Sequence, residues 1–398
     1  MDITIQPGLL EGTIHVIPSK SQAHRYLICA AFADGPTHIL CPETNRDMDA
    51  TADCLRALGA DIVKDETGYR VTPVATPPAR ADLPCRDSGS TLRFLLPVAG
   101  ALGVDAVFHM EGRLPSRPLS PLWEQMEAAG CRLSRPTDTS LRVEGQLRPG
   151  TYQVDGGISS QFITGLLLGT SLISGDSTIE ITGSIQSKPY IGMTLKAMEI
   201  FGREVRDFRI SGGNVFHSPG TLSVEGDWSN GAFFLAANAL GSRLQVLDLQ
   251  PDSCQGDRAA ARILKDLSRC PTVSARDIPD LVPILSVAAA CCSGAVFTDI
   301  QRLRLKESDR VQTVLDLINR LGGSAEASED TLRVSGTGLR GGTVDAWGDH
   351  RIAMSAAIAA TVCREPVTIL GTQCTAKSYP RFFQEFRRLG GNYEQYIR

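Results

Sequence analysis

Two cations and a hydroxyl crowd into one helical turn at Lys20-Ser21-Gln22-Ala23-His24-Arg25, after Pro18-Ser19 and before the apolar run Tyr26 to Phe32. A helix start exposes unpaired N–H groups and the positive end of its dipole, so Ser21 as a cap between Lys20 and Arg25 forms a seat for phosphate or carboxylate. The pattern recurs. Arg86-Asp87-Ser88-Gly89-Ser90-Thr91-Leu92-Arg93 is a glycine-bearing turn entering a second apolar run. Its N–H groups can cradle an anion, and Gly89 lets a ligand approach the backbone. Arg113 to Pro118 is a loop rich in arginine and proline, and Gly156 to Gln161 offers two hydroxyls and an amide at another helix start. Ser187-Lys188-Pro189-Tyr190, Gly348-Asp349-His350-Arg351 and Lys377-Ser378-Tyr379-Pro380 open three more. Asp280 heads the apolar run Leu281 to Ala290, and Arg304 to Arg310 is a dense charge cluster that includes Lys306 and Glu307. Taken singly, each has a bland reading: an ordinary capped helix, a surface arginine such as Arg93, a solvated charge run. Together they describe a site for small, multiply anionic ligands, with Asp280 and Glu307 as candidate proton carriers.

The rest of the composition narrows the chemistry. The chain has 398 residues, enough for two or three domains, and a formal net charge of −4. Without a global basic field, neither nucleic acid nor an anionic membrane is an expected partner. The 11 cysteines are odd in number and scattered, without CxxC or metal-ligand spacing. Reduced thiols and a cytoplasmic location are therefore expected, with no basic-then-apolar leader at the N-terminus. There is no P-loop and no Rossmann fingerprint in context, so no cofactor and no metal are expected.

The elements that must position these residues repeat. One helix class is amphipathic and stops at glycine: Ala50–Leu58, Leu119–Ala129, Ile191–Phe201, Val311–Leu321 and Pro380–Leu389, followed by Gly59, Gly130, Gly202, Gly322 and Gly390. Where neighbours are both visible, the interval is about 70 residues. The helix Arg258–Leu267 supplies the member missing between Gly202 and Gly322. The second class is apolar almost all round, with polar starts: Ser21–Ala33, Ser90–Leu102, Ser160–Leu172, Ser229–Leu240, Asp280–Cys291 and His350–Val362. Such helices are buried. A β-branched run follows each, and a strand pair follows most of the amphipathic helices. The reading is six units of strand, helix, strand, helix, strand, strand. The fourth is clipped, since Pro271–Arg276 leaves no room for a hairpin. The last ends on one strand, Asn392–Ile397, and the N-terminal strand Asp2–Gln6 has no unit of its own, so the simplest repair pairs the termini. The expected domains are 18–225 and 1–17 with 226–398, three units each, hinged near Pro18 and Gly226.

In these motifs and their order the chain resembles the EPSP synthases, the 3-phosphoshikimate 1-carboxyvinyltransferases of aromatic amino acid biosynthesis. The likeness rests on Pro18-Ser19-Lys20-Ser21 with Arg25, Ser88-Gly89-Ser90-Thr91-Leu92-Arg93, Arg117-Pro118, Ser159-Ser160-Gln161-Phe162, Ser187 to Ile191, Glu225-Gly226-Asp227, Ile278-Pro279-Asp280, Lys306 to Arg310, Asp349-His350-Arg351 and Ala376 to Pro380. It implies an α/β fold: a two-domain inside-out α/β barrel of six βαβαββ repeats. It also implies the reaction, in which the enolpyruvyl group of phosphoenolpyruvate moves to the 5-hydroxyl of 3-phosphoshikimate by addition and elimination. By motif, Lys20, Ser21, Arg25, Ser159, Ser160, Gln161, Ser187, Asp280 and Lys306 would hold 3-phosphoshikimate. Lys20, Gly89, Arg117, Gln161, Arg310, Arg351 and Lys377 would hold phosphoenolpyruvate. Asp280 would take the hydroxyl proton, and Glu307, with Lys377 or Lys20, would serve the enol carbon. Closure of the two halves around the ligands and a monomeric state are also expected.

Two departures stand out. Asp87 stands where many members carry asparagine; its extra negative charge either weakens phosphoenolpyruvate binding or is neutralised by Arg86 beside it. Arg302 stands where some relatives place asparagine. Two alternatives remain at this point. One is a transferase acting on UDP-N-acetylglucosamine, which would show Lys-Asn at the first motif and a cysteine where Gly112 stands. The other is a non-catalytic anion-binding protein on the same scaffold, which would have lost Asp280, Glu307 or Lys377.

Overall fold

The alternation of helix character read from the sequence is the alternation of the fold. The computed structural model describes residues 1–213 and 215–396. Its α-helices there are α1 (Lys20–Ala31), α2 (Arg46–Ala57), α3 (Gly89–Leu102), α4 (Leu122–Ala128), α5 (Ser160–Thr170), α6 (Lys188–Ile200), α7 (Trp228–Ala239), α8 (Ala260–Asp266), α9 (Val282–Cys291), α10 (Arg310–Arg320), α11 (His350–Ala360) and α12 (Phe382–Arg388). The odd-numbered helices are the buried class. Every residue of α11 is buried, as is α9 from Val282 to Ala290. The even-numbered helices bury one face, as α10 does with Val311, Val314, Leu317 and Ile318. Gly59, Gly130, Gly202, Gly322 and Gly390 follow α2, α4, α6, α10 and α12 at positive φ, where a Cβ would be strained. After α8, Cys270 takes that left-handed place instead (φ 49°).

Helix pairs cover small mixed sheets. In the second repeat Arg80–Arg86 runs parallel to Asp105–Met110, Ser140–Gly145 pairs antiparallel to that strand, and Cys131–Ser134 closes the edge. The fifth repeat has the same order: Thr272–Ser274, Ala295–Thr298, Thr331–Ser335, Ser324–Ala327. In the sixth, Asp2–Gln6 takes the third place, with Ile5 opposite both Val367 and Tyr393. The N-terminal strand thus completes a hairpin of which the C-terminal segment supplies only Asn392–Tyr396. Ile397, read as the end of that strand, lies outside the described residues.

Three repeats depart from the regular unit. The strand that opens the first is Thr221–Ser223, parallel to Thr37–Leu40. The strand just before α1, Glu11–His15, pairs instead with Arg243–Leu247. In the third repeat the hairpin shrinks to Arg209–Ile210, after Asp207 and Phe208 break the extended run at positive φ. The fourth sheet has two strands, because the chain passes from α8 almost directly into Thr272–Ser274.

Packing divides the chain into two compact units, Pro18–Val224 and Met1–Ile17 with the segment from Glu225 onward. Each has its own apolar core. The second crossing falls one residue before the boundary read from the sequence, because the Glu225 carboxylate accepts hydrogen bonds from Ser253 and Gln255. Within the first of these units, α3 and α5 meet at glycine. A Cβ on Gly165 would lie 2.1 Å from the Arg93 carbonyl oxygen. That approach brings the start of α5 onto the start of α3. No helix of the described residues is long and apolar enough to cross a membrane.

Candidate active site

In the unit Pro18–Val224, polar side chains gather at the starts of α1, α3 and α5. Ser19, not Ser21, is the N-cap of α1 and makes no side-chain cap bond. Lys20 and Ser21 therefore sit inside the first turn. The Lys20 ammonium lies 2.9 Å from Asp47 of α2. Arg25 is buried. Its guanidinium donates to Thr194 Oγ1 (2.8 Å) and to the Tyr190 carbonyl (2.9 Å), both on α6, and to the Ser21 carbonyl, and lies over the Phe94 ring.

At α3 the cap is Ser88, which accepts the Thr91 N–H, so Gly89 and Ser90 form the first turn. Arg93 is buried rather than at the surface. It donates to Gln161 Oε1 (3.0 Å) and to the Pro118 carbonyl (3.1 Å), while Gln161 Nε2 donates to Ser90 Oγ (3.0 Å). The amide orientation of Gln161 is thereby set by one donor and one acceptor. Arg117 comes in over Gly89: a Cβ there would lie 2.6 Å from Arg117 Nη1 and 2.8 Å from Arg93 Nη1. Ser159 caps α5 through the Gln161 N–H, with Ser160 buried behind it. Ser187 precedes α6 at φ 55°. The Arg86 guanidinium is 2.6 Å from Asp53.

The discontinuous unit holds a second, denser cluster. Asp280 is not the cap of α9, which starts at Val282 after Leu281. Its carboxylate instead lies 2.6 Å from Arg310, 2.9 Å from Arg351 and 3.6 Å from Lys306. Arg310 also meets Asp349 at 2.8 Å and Glu307 at 2.7 Å. Asp349 caps α11 and accepts the Ser308 hydroxyl and the Arg351 N–H, each at 3.0 Å. The side chains of Arg310 and Asp349 are 1% and 0% exposed, so these bonds are little screened by water. Lys377 is buried at the end of the turn Thr372–Lys377. Among the described residues, no grouping of His, Cys, Asp and Glu is set to hold a metal ion.

Burial and pairing pull the ionisations apart. Burial by itself would raise the Asp280 carboxyl, but Arg351, Lys306 and Arg310 together outweigh it and hold it well below the usual range. Lys306 is pushed down to about 8 by burial, against the pull of Asp280. Asp257, whose carboxylate accepts the Ser229 hydroxyl, is pushed up to about 7 by burial and by Asp280. Asp280 thus stands as an anion among cations, while the Asp257 carboxyl, raised in part by the Asp280 charge, titrates near neutral pH.

The structure brings Lys20, Ser21 and Arg25 onto one helix start, and Gly89, Arg117 and Gln161 onto a second group. Ser187 joins these through α6, whose Tyr190 and Thr194 hold Arg25. Asp280, Lys306, Glu307, Arg310 and Arg351 form one ion network. The sequence reading gave no role to Asp47, Thr194, Asp257 or Asp349. Asp349 had a visible signal, an acidic residue three positions from the apolar run of a buried helix. Asp47 and Asp257 had none, because their partners lie on other elements.

The model of the family "EPSP synthase (3-phosphoshikimate 1-carboxyvinyltransferase)" matches residues 5–275 and 268–386. A 3-phosphoshikimate 1-carboxyvinyltransferase of Clostridium botulinum (strain Alaska E43) is 37% identical over 425 residues, covering 98% of each chain. That of Clostridium kluyveri is 36% identical over 422 residues, covering 99% of this chain and 98% of its own. In fold, the chain is similar to an EPSP synthase structure from Acinetobacter baumannii (TM-score 0.80, 23% identity, 99% and 100% covered). It is also similar to the enolpyruvyl transferase NikO from Streptomyces tendae (TM-score 0.76, 18% identity, 99% and 98% covered). A mixed α/β chain that matches the family model along nearly its whole length, and aligns end to end with these relatives, belongs to the EPSP synthase family.

Proposed function

We propose that this chain transfers the enolpyruvyl group of phosphoenolpyruvate to the 5-hydroxyl of 3-phosphoshikimate and releases phosphate. What carries the reading is the full-length family match, whose motif residues here hold charges of both signs in fixed pairs. Lys20, Ser21, Arg25, Ser159, Ser160, Gln161, Ser187, Asp280 and Lys306 bind 3-phosphoshikimate. Lys20, Gly89, Arg117, Gln161, Arg310, Arg351 and Lys377 bind phosphoenolpyruvate. Nη1 of Arg310 donates one bond to Asp280, which leaves it a second N–H for a ligand carboxylate.

In the addition step the acceptor oxygen attacks the substituted enol carbon. Asp280 takes the hydroxyl proton, and the terminal enol carbon gains a proton through Glu307 with Lys377 or Lys20. Elimination then removes a proton from that carbon and expels phosphate. A carboxylate held as low as Asp280 is a weak base while its cations serve it alone. Substrate anions that share Arg351, Lys306 and Arg310 raise its basicity when the base is needed. The same cations, placed before the ligand arrives, stabilise the charged intermediate. The eleven scattered cysteines, without metal-ligand spacing, suit the reducing cytoplasm, where we place the enzyme as a monomer.

The test is phosphate release from phosphoenolpyruvate with either 3-phosphoshikimate or UDP-N-acetylglucosamine as acceptor. Release with the first alone is expected, and its loss in Lys20→Met and Arg351→Ala variants of unchanged circular dichroism. Release with only the nucleotide sugar, or with neither, overturns the proposal.

A further inference from the structure

Behind the Gly89 turn runs a chain of hydrogen bonds that none of the proposed substrate contacts uses. His24 of α1 meets Thr51 of α2 (Nδ1 to Oγ1, 2.7 Å), and Thr51 meets Thr91 of α3 at 2.7 Å. Thr91 donates its hydroxyl proton to Ser88 Oγ at 2.8 Å. His24 is 1% exposed and the three hydroxyl residues are 0% exposed, so bulk solvent does not reach these bonds.

Proton counting gives the chain a direction. A hydroxyl has one proton. That of Thr91 goes to Ser88, so between Thr51 and Thr91 the donor is Thr51. With its proton spent, Thr51 only accepts from the imidazole. His24 must therefore carry hydrogen on Nδ1. The chain ends on the Ser88 oxygen that also accepts the Thr91 N–H at 3.3 Å and so fixes the first turn of α3, where Gly89 lies. One turn before Thr51, Asp47 holds the Lys20 ammonium. Helix α2 lends no residue to the proposed ligand contacts, yet it grips the starts of both α1 and α3.

We propose that His24, Thr51 and Thr91 are positioning residues that keep the Gly89 turn in register with Lys20 for the phosphoenolpyruvate half of the reaction, through a one-way chain that requires His24 as its Nδ1–H form. The role in turnover rests on the enolpyruvyl-transfer reading; the direction of the chain does not.

Long-range ¹H–¹⁵N spectra of the labelled, ligand-free protein read the His24 tautomer, assigned by its loss in His24→Asn. The wild type should show Nδ1–H. Thr51→Val should admit the Nε2–H form, which free imidazole prefers, and Thr51→Ser should restore Nδ1–H. Stranding the buried partners should raise the KM for phosphoenolpyruvate about tenfold in Thr51→Val, with that for 3-phosphoshikimate within about twofold and Thr51→Ser near wild type in both. If Thr51→Val does not fold, Thr91→Val and Ser88→Ala cut the same chain at other links and should raise the same KM. An Nε2–H signal in the wild type overturns the chain. A changed tautomer with an unchanged KM for phosphoenolpyruvate overturns the positioning role. A wild type that turns over neither substrate removes the role in turnover, while the tautomer still judges the chain.

Discussion

Replacing Gly89 with alanine tests the packing of two guanidinium groups over one α-carbon. Gly89 is the first residue of α3 and is not among the residues at positive φ, so the backbone accepts alanine, and helix propensity favours it by up to about 1 kcal/mol. The cost is local. The new Cβ would stand 2.6 Å from Arg117 Nη1 and 2.8 Å from Arg93 Nη1. To reach ordinary contact at 3.4 Å, these ends must retreat by about 0.8 and 0.6 Å. Arg117 can swing, since it is only half-buried. Arg93 is buried and pinned between Gln161 and the Pro118 carbonyl, and its retreat strains a charge-assisted bond worth about 1.5–3 kcal/mol. A misplacement of order 1 Å costs up to about 100-fold in a positioned reaction. The expected result is a KM for phosphoenolpyruvate raised about 10- to 100-fold, or about 1.4 to 2.7 kcal/mol. The melting temperature should stay within about 3 °C, because propensity and strain offset each other. Phosphate release at saturating 3-phosphoshikimate, with phosphoenolpyruvate varied, reads the first quantity, and a thermal melt reads the second. A folded variant with a phosphoenolpyruvate KM within about twofold of wild type would refute the reasoning.

Other outcomes follow from the discontinuous unit. Asp280→Ala should lower kcat by about 100- to 10,000-fold and change both KM values far less, and near-normal turnover would remove Asp280 as the base. Lys306 loses its charge as pH rises through about 8, so kcat/KM for 3-phosphoshikimate should fall above that pH, and more gently in Lys306→Arg. Because the folded chain binds fewer protons at Lys306 than the unfolded chain from about pH 8 up to the ordinary lysine range, this group's contribution to stability should rise with pH across that window. Asp349→Asn keeps a capping oxygen but removes the buried charge facing Arg310. A loss of about 3 kcal/mol, or roughly 6–12 °C in the melt of a unit this size, is expected and should be insensitive to salt.

Much of this was legible in the residues. Glycine stops, apolar faces and polar helix starts give α2, α10 and α11 within a few positions, because each is a local pattern. The place of Asp2–Gln6 beside Asn392–Tyr396 also followed, since one orphan strand and one incomplete hairpin repair each other. Cap positions were read less well. Ser19 holds the cap read at Ser21, because serines two positions apart offer equivalent oxygens and only the backbone angle chooses between them. Partner choice among charges was not legible at all. Arg86 reaches Asp53, 33 positions away, and Arg93 turns inward to Gln161, 68 positions away. Such pairs are set by tertiary packing, which leaves no period in the sequence. The opening strand of the first repeat was not read for a related reason, as it comes from Thr221–Ser223, at the far end of the same unit.

The seam at the two ends of the chain has a consequence for synthesis on the ribosome. Pro18–Val224 contains its own core and all the strands of its three sheets, so it can fold while the rest is still being translated. The sheet that holds Asp2–Gln6 cannot close until Val367–Leu370 and Asn392–Tyr396 have emerged, at pairings such as Ile3 with Ile369. Asp2–Gln6 thus waits for partners translated far later, and a nascent chain stalled before residue 367 should expose Ile3 and Ile5 to chaperones and proteases while Pro18–Val224 is already resistant.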